Sequence, residues 1–347
     1  MHESDITLLA QRVLDRHDTP GAVVTTLTDG TLVSVGVGTA DLNGTQPIDK
    51  DALFPIYSIT KTYMAVAVMK LVESGACSLD DSVTTLVPDP RLDPAITLRQ
   101  LLNHTSGLRD YGATQEYNYD LRRDPSTPWT TEDFLAHSFG RGPQFAPGTG
   151  WSYSNVGYLL VKLALERLAA QPFRDVIAEV ITRPLGLLRT SVADTLADME
   201  SLTPGFSRAL SHTSELEDIA DRYHPGWVSH GLIISTTEEV ARFLDALMNG
   251  RIVPLESLAV MQQHQRVPVE QHEFAREPSY GLGLMVDPAA EHGPWLGHTG
   301  MGTGYTTAAF HRTDHEGHQT TIVAFANRDH AEIGFEIAMD YLNHPFT

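Results

Sequence analysis

Ser58 and Lys61 stand three residues apart in FPIYSITKTYMAVAVMKLVESG, at the head of a long apolar run. On a helix, positions i and i+3 share a face, so a hydroxyl and an amine at this spacing can meet. A lysine held among apolar side chains gives up its proton more easily and can act as a base near neutral pH. A serine at a helix N-terminus sits where backbone N–H groups and the helix dipole favour negative charge. The pair can therefore be a nucleophile beside its base. Taken alone, the spacing is common by chance, and the plainer reading is a capping serine followed by a lysine that reaches out to water. Two further stretches bear on the choice. In FAPGTGWSYSNVGYLLVKL, the residues Tyr153-Ser154-Asn155 gather where a turn-rich segment runs into a helix. Ser154 or Asn155 could simply cap that helix. In GPWLGHTGMGTGYTTAAF, His298-Thr299-Gly300 reads as an ordinary strand ending in a glycine loop, or as an edge strand whose small residues let a substrate lie against its backbone.

These residues need a scaffold, and the patterning describes one. Ile6, Leu9, Ala10, Val13 and Leu14 recur at helical spacing and predict a surface helix near the start of the chain. GAVVTTLTDGTLVSVGVGTA alternates with period two around Asp29-Gly30, a strong hairpin signal. The Ser58 stretch predicts a helix to about Glu73, stopped by Gly75 and apolar nearly all round from Tyr63 to Val72. From about 76 to 225 the strand alternation fades, and helical pieces such as TLRQLLNHT, TEDFLAHSF, GYLLVKLALERLAA and FRDVIAEVI are joined by Pro- and Gly-rich loops. STTEEVARFLDALMNG has a capping hydroxyl, an acidic first turn and a terminal glycine, so it predicts another helix. Strand signals return in YGLGLMV, GYTTAAFH and QTTIVAFANR, and a helix closes the chain in AEIGFEIAMDYLNH. The expectation is an α+β fold: an antiparallel sheet completed by both chain ends, helices on its face and an inserted helical lobe. Residues 1–75 and 226–347 would form a discontinuous sheet domain and 76–225 a mainly helical one.

Composition narrows the function. The chain has 347 residues, with 24 basic against 44 acidic side chains, a net charge of −20. Such a field repels nucleic acid and anionic lipid, so neither is an expected partner. No apolar run approaches a membrane span. The N-terminus has neither the basic head nor the apolar core of an export signal, so a cytoplasmic location is expected. The single cysteine, Cys77, excludes an internal disulfide and reads as a small packed residue. There is no Gly-x-Ser-x-Gly elbow, no His-Glu-x-x-His and no Walker loop, and no metal or cofactor is expected. The run HRTDHEGH, with His311, Asp314, His315 and His318, falls between two strand signals and reads as a solvated hairpin turn. His104, in NHTSGL, reads as a structural histidine under the site.

Together the three polar stretches resemble the Ser-x-x-Lys, Tyr-x-Asn and Lys/His-Thr-Gly motifs of the serine β-lactamase and penicillin-binding protein superfamily, in the same order. LRQLLNHTSGL, APGTGWSYSNVGYLL, RPLGL, SHGLIISTTEEVARFL and YGLGL are similar to segments of its class C β-lactamase-like branch. That branch includes D-Ala-D-Ala carboxypeptidases, D-aminopeptidases and amidases, esterases and acyltransferases. The resemblance implies a β-lactamase-like fold with the active site between the two domains. It implies that Ser58 is the nucleophile and that Lys61 and Tyr153 share proton handling, either being the formal base. It further implies that Asn155 bonds Lys61 and substrate, and that His298, Thr299 and Gly300 border the site. The backbone N–H groups of Ser58 and Met301 would form the oxyanion hole.

Two departures shape the substrate expectation. His298 replaces the lysine typical of β-lactamases, and a neutral or partly protonated imidazole attracts a carboxylate less reliably than an ammonium. Met301 stands where carboxylate-binding relatives often carry a hydroxyl. An esterase or D-amino-acid amidase or peptidase acting on a small molecule or short peptide is expected ahead of a D,D-carboxypeptidase or β-lactamase. A non-catalytic penicillin-sensing scaffold ranks last, because Ser58, Lys61 and Tyr153 are all present.

Overall fold

Asp29 and Gly30 both adopt left-handed backbone, with φ of 46° and 83°, the turn geometry that matches strand twist. They join β1 (Gly21–Thr28) to β2 (Thr31–Gly38). The structure, a computed structural model, describes residues 2–211, 213–269, 274–330 and 332–343. Six more strands complete the large sheet: β3 (Gln265–Arg266), β4 (Ser279–Tyr280), β5 (Met285–Asp287), β6 (Trp295–Gly302), β7 (Tyr305–Thr313) and β8 (Gln319–Ala326). Their order is β2-β1-β8-β7-β6-β5-β4-β3, and every neighbouring pair is antiparallel. The two chain ends meet where β1 pairs with β8, from Ala22↔Ala326 to Thr28↔Thr320.

Of five longer helices, α1 (Glu3–Arg16), α2 (Thr60–Glu73), α3 (Asn155–Ala169), α4 (Thr237–Met248) and α5 (Ile333–Asn343), the first, fourth and fifth pack on this sheet, and α2 packs against α3. Side chains alternate across a strand, so β1 serves two cores. Ala22 and Val24 pack with Ile6, Ala10 and Val13 of α1 and with Ile337 and Ala338 of α5. Val23 points into the larger core with Val240, Phe243 and Leu247 of α4. α2 runs through the middle of that core, with every residue from Thr60 to Met69 buried. The Tyr63 ring stacks on Phe243, centroids 3.6 Å apart. Burying a large apolar side chain is worth about 1.5–3 kcal/mol, which is why the all-round apolar run belongs here and not at the surface.

Several local expectations need correction. Ser58 is not in the first turn of α2 but in a short 3₁₀ turn, Tyr57–Ile59, that precedes it. YGLGLMV is not one strand. Tyr280 ends β4, Met285 begins β5 and pairs back with it, and the glycine-rich residues between them form the turn. The region from 76 to 225 also contains strands too short to show alternation. Ser191–Ala193 joins Phe54–Pro55 and Leu232–Ser235 in a three-stranded sheet. The closing helix forms, although Ala331 and His344 of the predicted segment lie outside the described residues. No helix among the described residues is long and apolar enough to cross a membrane.

Candidate active site

The 3₁₀ turn is what brings the first motif together. Its three residues per turn eclipse positions i and i+3, and Lys61 Nζ lies 2.9 Å from Ser58 Oγ. α2 is tied down on both sides of Lys61. Thr60 Oγ1 accepts from the N–H of Ile233 at 3.3 Å, and Thr62 Oγ1 donates to the Gly283 carbonyl at 2.7 Å. Lys61 is fully buried, so it does not reach out to water. Burial drives its amine well below the ordinary lysine range, with the negative charge of Asp110 opposing the shift.

The second motif divides between the two readings of the sequence. Ser154 is the cap of α3, accepting from Gly157 N–H at 3.1 Å. Tyr153 and Asn155, on either side of it, face Lys61 and Ser58. Tyr153 OH lies 2.7 Å from Ser58 Oγ, and Lys61 Nζ donates to Asn155 Oδ1 at 2.9 Å. Burial pushes the Tyr153 phenol up, with its hydrogen bond to Ser58 opposing the rise, so this group keeps its proton at neutral pH. His104 supports the Tyr153 loop from below. Its Nδ1 accepts from Ser154 N–H at 3.2 Å, and its ring lies 4.3 Å from that of Tyr153.

The third motif lies on β6. Trp295–Gly297 pairs with β5, whereas Trp295–Gly302 pairs with β7 throughout, so the half carrying His298 and Thr299 is open on one side. The glycines answer to the protein's own packing more than to a ligand. A Cβ on Gly300 would stand 2.4 Å from the Ile56 carbonyl oxygen, and one on Gly302 would stand 2.1 Å from the Tyr57 ring. Tyr57 cannot easily yield, because its hydroxyl donates to the Thr303 carbonyl at 2.6 Å and its ring is buried. Gly302→Ala is therefore expected to destabilise the fold by about 1–3 kcal/mol and to lower turnover by moving β6 away from Ser58. Urea unfolding and kcat together check this; a variant unchanged in both would refute it.

His298 is neutral. Burial, followed by the nearby charge of Lys61, pushes its imidazole down to about 3. Its Nδ1 lies 2.5 Å from the Thr299 carbonyl oxygen, which can only accept, so the ring proton is there. Nε2 then accepts from Tyr280 OH at 2.8 Å. Of the two states that the sequence allows, burial favours the neutral one, and both ring nitrogens are engaged within the protein. Thr299 Oγ1 lies 3.6 Å from Met285 Sδ, and the Met301 side chain is largely exposed.

Two neighbours escaped sequence reasoning. Asp110 accepts from the Asn155 backbone N–H at 2.7 Å and from Asn155 Nδ2 at 3.2 Å. It thereby turns the amide so that Oδ1 faces Lys61. His230 Nε2 lies 3.3 Å from Lys61 Nζ. Their only signals were an aspartate in SGLRDYG and a histidine just before the apolar run GLIIS.

Ser58, Tyr153, Asn155, His298, Thr299 and Met301 all line one cavity of about 620 Å³. Its walls are rich in aromatic side chains, including Tyr111, Tyr117, Trp151, Tyr223, Trp227 and Tyr280. Among the described residues its charged lining consists of Asp329 and Glu332, with no lysine or arginine. Of the remaining sequence candidates, His318 pairs with Asp314 at 3.2 Å in the turn between β7 and β8, whereas His311 is buried on β7 against Thr321. No cluster among the described residues could hold a metal ion.

The sequence matches the Beta-lactamase family model over residues 7–342. The chain belongs to the beta-lactamase family. Within it, the chain is 26% identical over 324 residues to penicillin-binding protein 4* of Bacillus subtilis, covering 91% of this chain and 69% of that protein. It is 33% identical over 166 residues to esterase EstB of Burkholderia gladioli, covering 43% of this chain and 41% of the esterase. Its structure superposes on a D-stereospecific amidohydrolase from Streptomyces sp. with a TM-score of 0.81 at 26% identity, covering 96% and 97% of the two chains. This beta-lactamase family member is a serine hydrolase.

Proposed function

We propose that the chain hydrolyses esters or amides of small compounds lacking a carboxylate, through an acyl-enzyme on Ser58. One observation carries this reading: Ser58 Oγ, in the wall of the cavity, lies 2.9 Å from the Lys61 amine and 2.7 Å from the Tyr153 hydroxyl. Lys61, its pKa lowered by burial, takes the Ser58 proton as Oγ attacks the carbonyl carbon. Tyr153, whose pKa is raised, hands its proton to the leaving group and is reprotonated from Lys61. Water then repeats the sequence on the acyl-enzyme. The backbone N–H groups of Ser58 and Met301 hold the oxyanion, and one such donor is typically worth about 3–4 kcal/mol in the transition state. Asn155 holds Lys61 and meets the substrate, while His298, Thr299 and Gly300 form the wall opposite. The sheet-bearing residues 1–75 and 226–347 and the mainly helical residues 76–225 face each other across this cleft.

Substrate class follows from charge. A substrate carboxylate would enter a cavity whose charged lining is acidic, beside a neutral His298, in a chain of net charge −20. The aromatic walls suit an apolar acyl group. The names of two relatives, an esterase and a D-stereospecific amidohydrolase, agree with this class. The test is a panel of p-nitrophenyl acetate, p-nitrophenyl butyrate, D-phenylalanine amide, a D-Ala-D-Ala peptide and a chromogenic cephalosporin. The carboxylate-free compounds are expected to lead in kcat/KM by about 100-fold, the size of two missing charge-assisted bonds. Faster turnover of the peptide or the cephalosporin would overturn the reading.

A further inference from the structure

Lys61 Nζ has three polar neighbours: Ser58 Oγ at 2.9 Å, Asn155 Oδ1 at 2.9 Å and His230 Nε2 at 3.3 Å. A free amine has two N–H donors and one lone pair, and to act as a base it must point that lone pair at the serine hydroxyl. Asn155 fixes only one donor, because Asp110 holds its amide with Oδ1 toward the lysine. The second donor would otherwise be free to swing about the Cε–Nζ bond onto Ser58 Oγ, facing the nucleophile with a proton in place of a lone pair.

We propose that His230 is a positioning residue for Lys61: its Nε2 accepts the second N–H and so directs the lone pair at Ser58. The ring is buried, and its Nδ1 has no hydrogen-bond partner among the described residues. A half-satisfied buried imidazole is destabilising, so packing gives no reason to place one here. Burial, together with Lys61, His298, Lys162 and His104 around it, holds the ring neutral. A neutral ring can accept a hydrogen bond where an imidazolium cannot. When Ser58 attacks, its proton passes to Nζ as the Oγ–C bond forms. The ammonium then has three donors for three acceptors, with His230 still in place. His230 thus serves the base before proton transfer and the charge after it.

Lys61 carries the pH readout, and the groups facing it are Asp110, His104, His230, His298 and the rings of Tyr153 and Tyr158. Removing the His230 acceptor strips one hydrogen bond from the ammonium, so the lysine pKa should fall further. The experiment measures kcat/KM for p-nitrophenyl acetate from pH 6 to 10 in the wild type, His230→Leu and His230→Gln. Leucine is expected to lower the plateau by about 10- to 100-fold, as misdirected catalytic groups do, and to move the ascending limb to lower pH. Glutamine, whose carbonyl oxygen can accept from Nζ, should restore both. If the leucine chain does not fold, His230→Asn, too short to reach Nζ, takes its place. An unmoved limb, or a moved limb that glutamine does not restore, overturns the proposal. The inference rests on Lys61 being the base, and the wild-type profile tests that separately. Without an ascending limb the base assignment fails and takes this role with it, whereas a limb present but unmoved refutes His230 alone.

Discussion

Ser58→Ala is expected to reduce turnover of every substrate by about 10⁴- to 10⁶-fold, the size of loss seen when a serine nucleophile is removed from a hydrolase. The reason lies in the arrangement of Lys61 and Tyr153. Each lies within 3 Å of Ser58 Oγ, and neither has another reacting atom to serve once that oxygen is gone. The fold should survive, because Lys61 keeps Asn155 and His230 as partners. Stability is therefore expected to change by about 1 kcal/mol or less, the value of a typical hydrogen bond. A fluorophosphonate probe should label the wild type once per chain and leave the alanine variant unlabelled. Labelling of a folded Ser58→Ala chain would place the nucleophile elsewhere and dismantle the mechanism.

The second large effect is on stability in mild acid. His104, His230, His298 and His311 are each at most 4% exposed, and burial is the first cause of a lowered pKa in all four. His298 is pushed down to about 3 and His311 to about 4. In the unfolded chain each imidazole takes up a proton near its ordinary 6.5, while the native chain resists until far lower pH. The unfolded state therefore binds more protons throughout this window, and stability falls as pH drops below about 6.5. Each histidine contributes up to about 1.4 kcal/mol per pH unit once the pH is well below 6.5, so four together approach about 5 kcal/mol per pH unit. A stability of about 5–15 kcal/mol is then exhausted roughly one to three units below 6.5. Most carboxylates still carry their charge at pH 5.5, so the histidines dominate the upper part of this window. Urea unfolding at pH 7.5, 6.5 and 5.5 measures the slope. His311, remote from Ser58, allows a clean control: His311→Gln should reduce the loss between pH 6.5 and 5.5 by about 1 kcal/mol, because the unfolded imidazole is already half protonated at pH 6.5. A free energy of unfolding that stays level from pH 7 to 5.5 would show that these rings protonate without unfolding the chain.

Elements whose signals are local were legible in the sequence. The Asp29-Gly30 hairpin, the α1 face of Ile6, Ala10, Val13 and Leu14, and the Thr236 cap of α4 follow from turn chemistry, helical period and side-chain-to-backbone bonding. Reading YGLGLMV as one strand failed for a related reason. Alternation alone does not distinguish a strand from a hairpin whose turn is built from glycines, and Gly283 takes a positive φ of 67°. Ser58, Lys61, Tyr153 and Asn155 were legible because each motif is short and contiguous, and their order along the chain narrowed the possibilities.

The state of those groups was decided by tertiary structure. Whether Lys61 is charged, and whether His298 can attract a carboxylate, depends on burial and on charges brought in from distant segments. His230 reaches Lys61 across 169 residues, and Asp110 reaches Asn155 across 45. Gly300 and Gly302 of β6 carry no local hint that Ile56 and Tyr57 will be pressed against them. By itself, the sequence determined which reactive groups this chain owns and roughly which elements hold them, because spacing and period are properties of neighbouring residues. Only the folded chain decided their protonation, their orientation and the charge of the cavity they face, because electrostatics and desolvation act through space between residues that the sequence keeps apart.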